Sequence, residues 1–484
     1  MKNNGEISLD PNNWDEIRKL GYQSIDLMIE YLSNIEQNKV WKPIPPKTKE
    51  YFSSSIPLKP QSTNEIFDDF INNILPYPSG NIHPRFWGFV KGTGTPTGAI
   101  AELLATTMNS NTGGGEHIAN YVELQIIEWA KEMLNFDKKA SGLITSGCSM
   151  ANLTGLAVAR NVMSNNDIRK EGLRSMSQDF VIYGSDQIHS SIKKSIETLG
   201  IGSNNITLIP TNDKFEMDVE NLEKTIQDDI SNGKIPMAVV ANAGTVNTGA
   251  IDPLNKIAEI TKKYKIWYHI DGAFGALAKI VPEYDDIMFG LELADSIAFD
   301  MHKWMYMPYE IGLILVKDPI AHKLTFSLRP DYLSEETRGF SSFKNWATEY
   351  GIELSRGFRS LKAWFLIKEH GFKKYQLLIH QNIKQARYLG TLIEASDQLE
   401  ILAPIALNIV CFRFIFSNKD DAINDSLNKE VLLRIQEEGI ALFSSTILNN
   451  KYALRVAITN HRTKMSDIDL TISKILEIGN TLKK

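Results

Sequence analysis

The chain has 484 residues, 43% of them hydrophobic, enough to bury a large core and to build more than one domain. Its 52 Lys and Arg against 58 Asp and Glu give a net charge of -6 with no basic run, so neither nucleic acid nor an anionic membrane is an expected partner. Two cysteines, Cys148 and Cys411, are too few for a disulfide framework, MKNNGEISLD lacks the apolar core of a secretory signal, and no apolar stretch nears the roughly 20 residues of a membrane span; a cytoplasmic protein is expected.

The apolar residues Trp14, Ile17, Leu20, Ile25, Met28, Ile29 and Leu32 fall at helical spacing, which predicts an amphipathic helix whose apolar face must pack on something. Pro43, Pro45, Pro46, Pro57 and Pro60 follow, and their missing N–H groups mark a connector. From about Ser141 to Lys317 short apolar runs alternate with amphipathic segments. VIYGS 181–185, ITLIP 206–210, AVVANAG 238–244, IWYHIDG 266–272, SIAFD 296–300 and IGLILVK 311–317 read as buried strands. SSIKKSIETLG, VENLEKTIQDDI and NKIAEITKKY between them read as helices. The unit is therefore α/β, a large mostly parallel sheet with helices on both faces, and such sheets bind ligands at the carboxyl ends of their strands. From about Gln376 the strands NIVCFRFIF 408–416 and YALRVAITN 452–460 and the helices EVLLRIQEEG and DIDLTISKILEIGNTL predict a smaller α/β domain. The expected division is 1–84, an N-terminal helical segment; 85–375, the large domain; and 376–484, the small one.

Four fragments at strand ends carry chemistry. In IWYHIDGAFGA, Asp271 ends a strand and can be an active-site carboxylate, although a cap or turn aspartate is the commoner case. In SIAFDMHKWMYMPYEIG, His302 and Lys303 follow a strand; a lone lysine there is usually solvated, but Trp304, Met305 and Tyr306 would desolvate this one and lower its pKa. In SGLITSGCSMANLTG, Ser146, Gly147, Cys148 and Ser149 form a small-residue turn opening a helix, where backbone N–H groups can approach a phosphate. In VIYGSDQIHSS, His189 lies just past a strand, placed either to stack on a flat ring or simply to open a helix.

Each signal is weak alone, but in chain order they run phosphate turn, ring-stacking histidine, pyridinium carboxylate and Schiff-base lysine. With HPRFWGFV 83–90, SDQIHSS 185–191, HIDGAFG 269–275, DMHKW 300–304, PDYL 330–333 and LSRGFRSLKAWF 354–365, the sequence resembles the group II pyridoxal-phosphate decarboxylases of aromatic amino acids, histidine and glutamate over nearly its whole length. That resemblance implies the fold-type I aminotransferase-like scaffold and pyridoxal 5′-phosphate as cofactor, with no metal. It implies that Lys303 holds the cofactor, that Asp271 pairs with the pyridine nitrogen, and that His189 and Ala273 lie on opposite ring faces. It further implies that Thr245 contacts the 3-oxygen side, that Cys148 and Ser149 cradle the phosphate, that His302 sits beside the lysine, and that Tyr332, in a mobile lid, protonates the substrate. The N-terminal segment of such enzymes packs across a two-fold partner, so a homodimer with shared active sites is expected.

Two positions depart from the pattern. Animal aromatic decarboxylases usually carry Asn-Pro where this chain has Asp300-Met301; an aspartate cannot donate to a phosphate, so Asp300 is left out of the phosphate site and either points away or is satisfied by other donors. In the expected side-chain pocket Phe86, Trp87 and Phe89 keep aromatic character, while Asn111, Gly113, Gly114, Glu116 and His117 make the second wall small and polar. With Ser355, this points to decarboxylation of an aromatic amino acid of tyrosine-like or histidine-like form. The competing readings are an aminotransferase, whose carboxylate clamp could be Arg455; a decarboxylating aldehyde synthase, whose relatives typically replace Tyr332 by Phe; and a non-catalytic binding protein of the same fold, which has no reason to keep both Lys303 and Asp271.

Overall fold

The computed structural model describes residues 7–164, 168–328, 336–417 and 419–483. Its centre is a seven-stranded sheet in the order β2-β8-β7-β6-β5-β3-β4. The strands are β2 (Ser141–Thr145), β3 (Phe180–Ser185), β4 (Ile206–Ile209), β5 (Ile235–Asn242), β6 (Trp267–Asp271), β7 (Ser296–Asp300) and β8 (Gly312–Val316). From β4 through β3, β5 and β6 to β7 neighbours run parallel, and β8 alone is antiparallel to both β7 and β2. The six predicted strands form within two or three residues of their expected bounds.

Both faces of this sheet are covered, which is why its strands read as continuous apolar runs. Val181, Tyr183, Val239, Ala241, Ile297, Phe299, Leu313 and Leu315 join one core; their alternates Ile182, Ala238, Val240, Ala298, Ile314 and Val316 join the other. The period of two is that of a pleated strand. Helix Cys148–Met163 packs across β6, β7 and β8, so its N-terminus lies at the carboxyl edge of the sheet.

A second sheet of five strands has the order β1-β11-β12-β10-β9. It comprises β1 (Phe86–Trp87), β9 (Leu399–Ile401), β10 (Ile409–Phe414), β11 (Leu442–Leu448) and β12 (Lys451–Ala457), with a core of its own around Phe412, Phe414 and Phe443. β1 pairs in parallel with β11, so the chain contributes to the small sheet before it builds the large one.

The N-terminal helix spans Trp14–Ser33, capped by the Asn13 side chain accepting from the Asp15 N–H at 3.0 Å, and none of its residues is buried. The expected Pro-rich connector is partly helical: Pro46 opens the helix Pro46–Tyr51 at the position where a missing N–H costs nothing. Among the described residues, no helix is long and apolar enough to cross a membrane.

Candidate active site

The carboxyl ends of β3, β5, β6 and β7 and the turn between β2 and helix Cys148–Met163 enclose a cavity of about 600 Å³. Cys148, Ser149, His189, Asp271, Ala273, His302 and Lys303, the predicted site residues but two, line it together. The turn can lie against the sheet because β8 begins with glycine: a Cβ on Gly312 would come within 2.5 Å of Gly147 Cα.

Asp271 ends β6 and is buried. Its Oδ2 accepts from Asn152 Nδ2 at 2.9 Å; its Oδ1 accepts from the Ala273 N–H at 3.1 Å and from the Cys148 thiol at 3.5 Å. Asn152, one helical turn after Cys148, spends its amide on Asp271 and on Ser191 Oγ, so its Oδ1 is the acceptor facing His269 Nε2 at 2.9 Å. His269 must therefore donate from Nε2 and accept at Nδ1 from Ser296 Oγ, 2.7 Å away, and Ser296 Oγ accepts from Trp267 Nε1 at 2.8 Å. Burial pulls the His269 pKa down to about 4, which keeps this ring neutral and the chain of bonds directional.

Asp300 takes the second of its two expected alternatives. Its Oδ1 accepts the backbone N–H of Cys148 at 2.6 Å and its Oδ2 lies 2.9 Å from Lys303 Nζ, so it sits at the turn itself, satisfied by other donors. The Lys303 side chain is 21% exposed. Burial alone would depress its pKa, as its apolar flank suggested, but Asp300 outweighs burial and holds the ammonium above its ordinary range. His302 packs on Tyr309 and shares its Nδ1 with the Ile311 backbone, while burial lowers its pKa.

His189 opens its helix and also lines the cavity. It caps helix Ser190–Thr198, its Nδ1 accepting from the Ser191 N–H at 3.2 Å with Ser191 Oγ at 2.8 Å, and its ring lines the cavity, its pKa lowered first by burial. Thr245 is not among the lining residues: it is fully buried with its Oγ1 on Thr248 Oγ1 at 3.0 Å, and the neighbouring Val246 and Asn247 face the cavity instead. Tyr332 lies outside the described residues.

The two expected walls of the side-chain pocket do not meet within one chain. Phe86 and Trp87 are buried in β1, and only Phe89 lines the cavity of Lys303. Asn111, Gly113, Gly114, His117 and Ser355 line a separate cavity of about 560 Å³ with Phe340 and Trp346. Arg455, the candidate carboxylate clamp, is committed elsewhere: it donates to the carbonyls of Asn247 at 3.0 Å, Phe89 at 2.7 Å and Val246, and to Ser444 Oγ at 3.0 Å.

Sequence reasoning missed Asn152, His269, Lys91 and Asn247. The first two carried a signal: Asn152 stands at i+4 from Cys148 on one helix face, and His269 at i-2 from Asp271 on one strand face.

A lysine after one strand and a carboxylate after its neighbour, meeting across a cavity that opens on a helix N-terminus, fit pyridoxal phosphate. Lys303 offers the amine, Asp271 a fixed negative charge, and Ser149 an exposed hydroxyl at the phosphate end. This is the site of a fold-type I pyridoxal-phosphate enzyme. The pyridoxal-dependent decarboxylase conserved domain matches residues 45–415, and the chain belongs to that family.

The chain is 34% identical to an aromatic-L-amino-acid decarboxylase of Bacillus atrophaeus, over 95% of each sequence. It is 29% identical to a phenylacetaldehyde synthase of a Rosa hybrid cultivar, over 93% of this chain and 91% of the relative. The crystal structure of Catharanthus roseus tryptophan decarboxylase in complex with L-tryptophan superposes with a TM-score of 0.88 at 26% identity, covering 98% of this chain and all of that one. The protein is a pyridoxal-phosphate-dependent amino-acid decarboxylase.

Proposed function

We propose that the substrate is an aromatic L-amino acid and that the enzyme releases CO₂ and the corresponding amine. The observation that carries this reading is the Phe89 ring, 58% exposed and facing the cavity of Lys303 and Asp271. An aromatic side chain can lie against it.

When bound, pyridoxal phosphate accepts the electron pair left behind as CO₂ departs. Lys303 would anchor the cofactor, and Ser149 with the N–H groups of the first helical turn other than that of Cys148, which Asp300 holds, would receive the phosphate. Asp271, fixed by Asn152 and the Ala273 N–H, holds its charge beside the pyridine nitrogen. His189 and Ala273, which both line the cavity, would flank the ring and help to hold the scissile carboxylate out of its plane. His302 supports Lys303, and Tyr332 gives the proton to Cα. That tyrosine favours the amine over the aldehyde. Arg455, its donors spent on carbonyls, supports decarboxylation over transamination.

The working form is a homodimer. Trp14, Tyr22 and Ile29 on the first helix and Leu103, Leu104 and Met108 on helix Pro96–Met108, which it touches, are exposed in one chain. A second copy covers such faces and brings the Asn111–Ser355 cavity of one chain toward the Lys303 cavity of the other. The protein acts in the cytoplasm.

The test is CO₂ release and amine formation from a panel of carboxyl-labelled L-amino acids, with purified protein and added pyridoxal phosphate. Release from tyrosine, phenylalanine, tryptophan or histidine supports the reading. Release only from acidic or aliphatic substrates refutes it.

A further inference from the structure

We propose that Lys91 is a specificity-determining residue that donates a hydrogen bond to the distal oxygen of the substrate side chain, and so selects a phenolic amino acid over its unhydroxylated, indole and imidazole counterparts. This inference rests on the decarboxylation of an aromatic amino acid set out above and deepens it.

The backbone fixes where Lys91 stands. Its neighbour Gly92 packs directly on the cofactor lysine's segment: a Cβ there would lie 1.9 Å from the His302 carbonyl oxygen and 2.6 Å from that of Lys303. Only a glycine permits this approach, and it places residue 91 at the wall of the reaction cavity, which Lys91 lines. Two residues earlier Phe89 is held at φ 61°, a left-handed conformation disfavoured for a side chain of its size, and its carbonyl is pinned by Arg455. That backbone turns an aromatic ring into the cavity. The Lys91 ammonium lies 5.3 Å from the centroid of this ring and 5.9 Å from that of the buried Phe86.

The charges around the cavity single out this ammonium. Asp300 is taken by Lys303 and the Cys148 N–H, Asp271 by Asn152 and Ala273, and Glu310 by Arg359 at 3.1 Å. Among the described residues, Lys91 has no carboxylate within ion-pair distance and no hydrogen-bond acceptor on Nζ; its contacts are the two rings. An aromatic platform with an adjoining unspent donor matches a ring that carries an oxygen at its far edge. A phenol accepts from the ammonium; a phenyl or indole ring offers no oxygen, and an imidazole gaining a proton is repelled.

The experiment compares kcat/KM for L-tyrosine and L-phenylalanine in the wild-type holoenzyme, Lys91→Met and Lys91→Arg. The wild type should favour tyrosine by at least about tenfold, because a donor built to meet a hydroxyl is left unpaired by the analogue that lacks it. In Lys91→Met that ratio should fall to within about twofold of unity, whatever the absolute rates, while Lys91→Arg, which keeps a donor, retains most of it. Cofactor absorbance of each variant shows that the site is assembled. An unchanged ratio in Lys91→Met overturns the proposal, as does a wild type that prefers glutamate through Lys91. CO₂ released from none of the aromatic substrates refutes the aromatic reading itself, a result distinct from either.

Discussion

Replacing Asn152 by Leu tests the support of the pyridinium carboxylate. The substitution removes the donor to Asp271 Oδ2, the donor to Ser191 Oγ, and the acceptor for His269 Nε2, at 2.9, 3.1 and 2.9 Å. It leaves a buried carboxylate oxygen and a buried imidazole N–H without their protein partners. Stranding a buried donor or acceptor costs roughly 1–3 kcal/mol each, so for two such groups the fold should lose about 2–6 kcal/mol. With one oxygen of Asp271 unheld, cofactor affinity should fall at least about tenfold, equivalent to roughly 1.4 kcal/mol of lost orientation. His269→Gln supplies the control: its side-chain amide can donate to Asn152 and its carbonyl can accept from Ser296, so it should stay within about 1 kcal/mol, whereas His269→Leu should lose roughly 2–3 kcal/mol. Urea unfolding of the apoprotein gives stability, and cofactor titration followed by absorbance gives affinity. If Asn152→Leu stays within about 1 kcal/mol of the wild type with unchanged affinity, the directional network is not what fixes Asp271.

Asp271→Asn should lower kcat by at least about 10³-fold with the fold intact, since an amide lacks the charge that keeps the pyridine nitrogen protonated, and should cost roughly 1–3 kcal/mol of stability because its N–H₂ meets a donor where the carboxylate oxygen accepted; a near-native rate places the pyridinium partner elsewhere. Tyr332→Phe should still lose CO₂ but yield aldehyde, ammonia and peroxide at the expense of amine, with one O₂ consumed per aldehyde; an unchanged amine yield without oxygen uptake removes Tyr332 from the proton-delivery role. His322, fully buried, accepts from Ser141 Oγ at 2.9 Å and donates to the Tyr350 carbonyl at 2.8 Å, and burial pulls its pKa from 6.5 down to about 4. Because the unfolded chain takes up the proton first, this stability is complete above pH 6.5 and is lost as pH falls toward 4, amounting to about 2 kcal/mol by pH 5. His322→Gln should therefore lose less stability than the wild type between pH 7 and pH 5 in urea unfolding, and identical losses contradict the assignment.

The large sheet was legible because burial on both faces writes uninterrupted apolar runs such as VIYGS and IGLILVK, and because chemistry at its carboxyl edge falls at fixed offsets from those runs. β11 was not: only Phe443 and Leu448 of its LFSSTIL are buried while Ser445 and Ile447 are exposed, so no period of two is written, and β1 is two residues long, too short for any period. At the site, Lys303, Asp271 and His189 could be read because each ends a strand or lies within four residues of one. The state of Lys303 could not, since its apolar neighbours along the chain point to a lowered pKa and only the folded geometry brings Asp300 to 2.9 Å. The orientation of Thr245 was not legible either. Its motif is in place, but the turn rotates its hydroxyl onto Thr248. The split of the side-chain pocket into two cavities depends on spatial relations that strand and helix periodicity do not encode.

The central claim is that Lys303 carries the cofactor, and it can be read without any turnover. Holoenzyme treated with borohydride to fix the cofactor on its lysine, then digested and sequenced by mass spectrometry, should carry the pyridoxyl group on the peptide containing DMHKW, at Lys303. The label on another lysine, Lys91 included, or on none, would contradict the account.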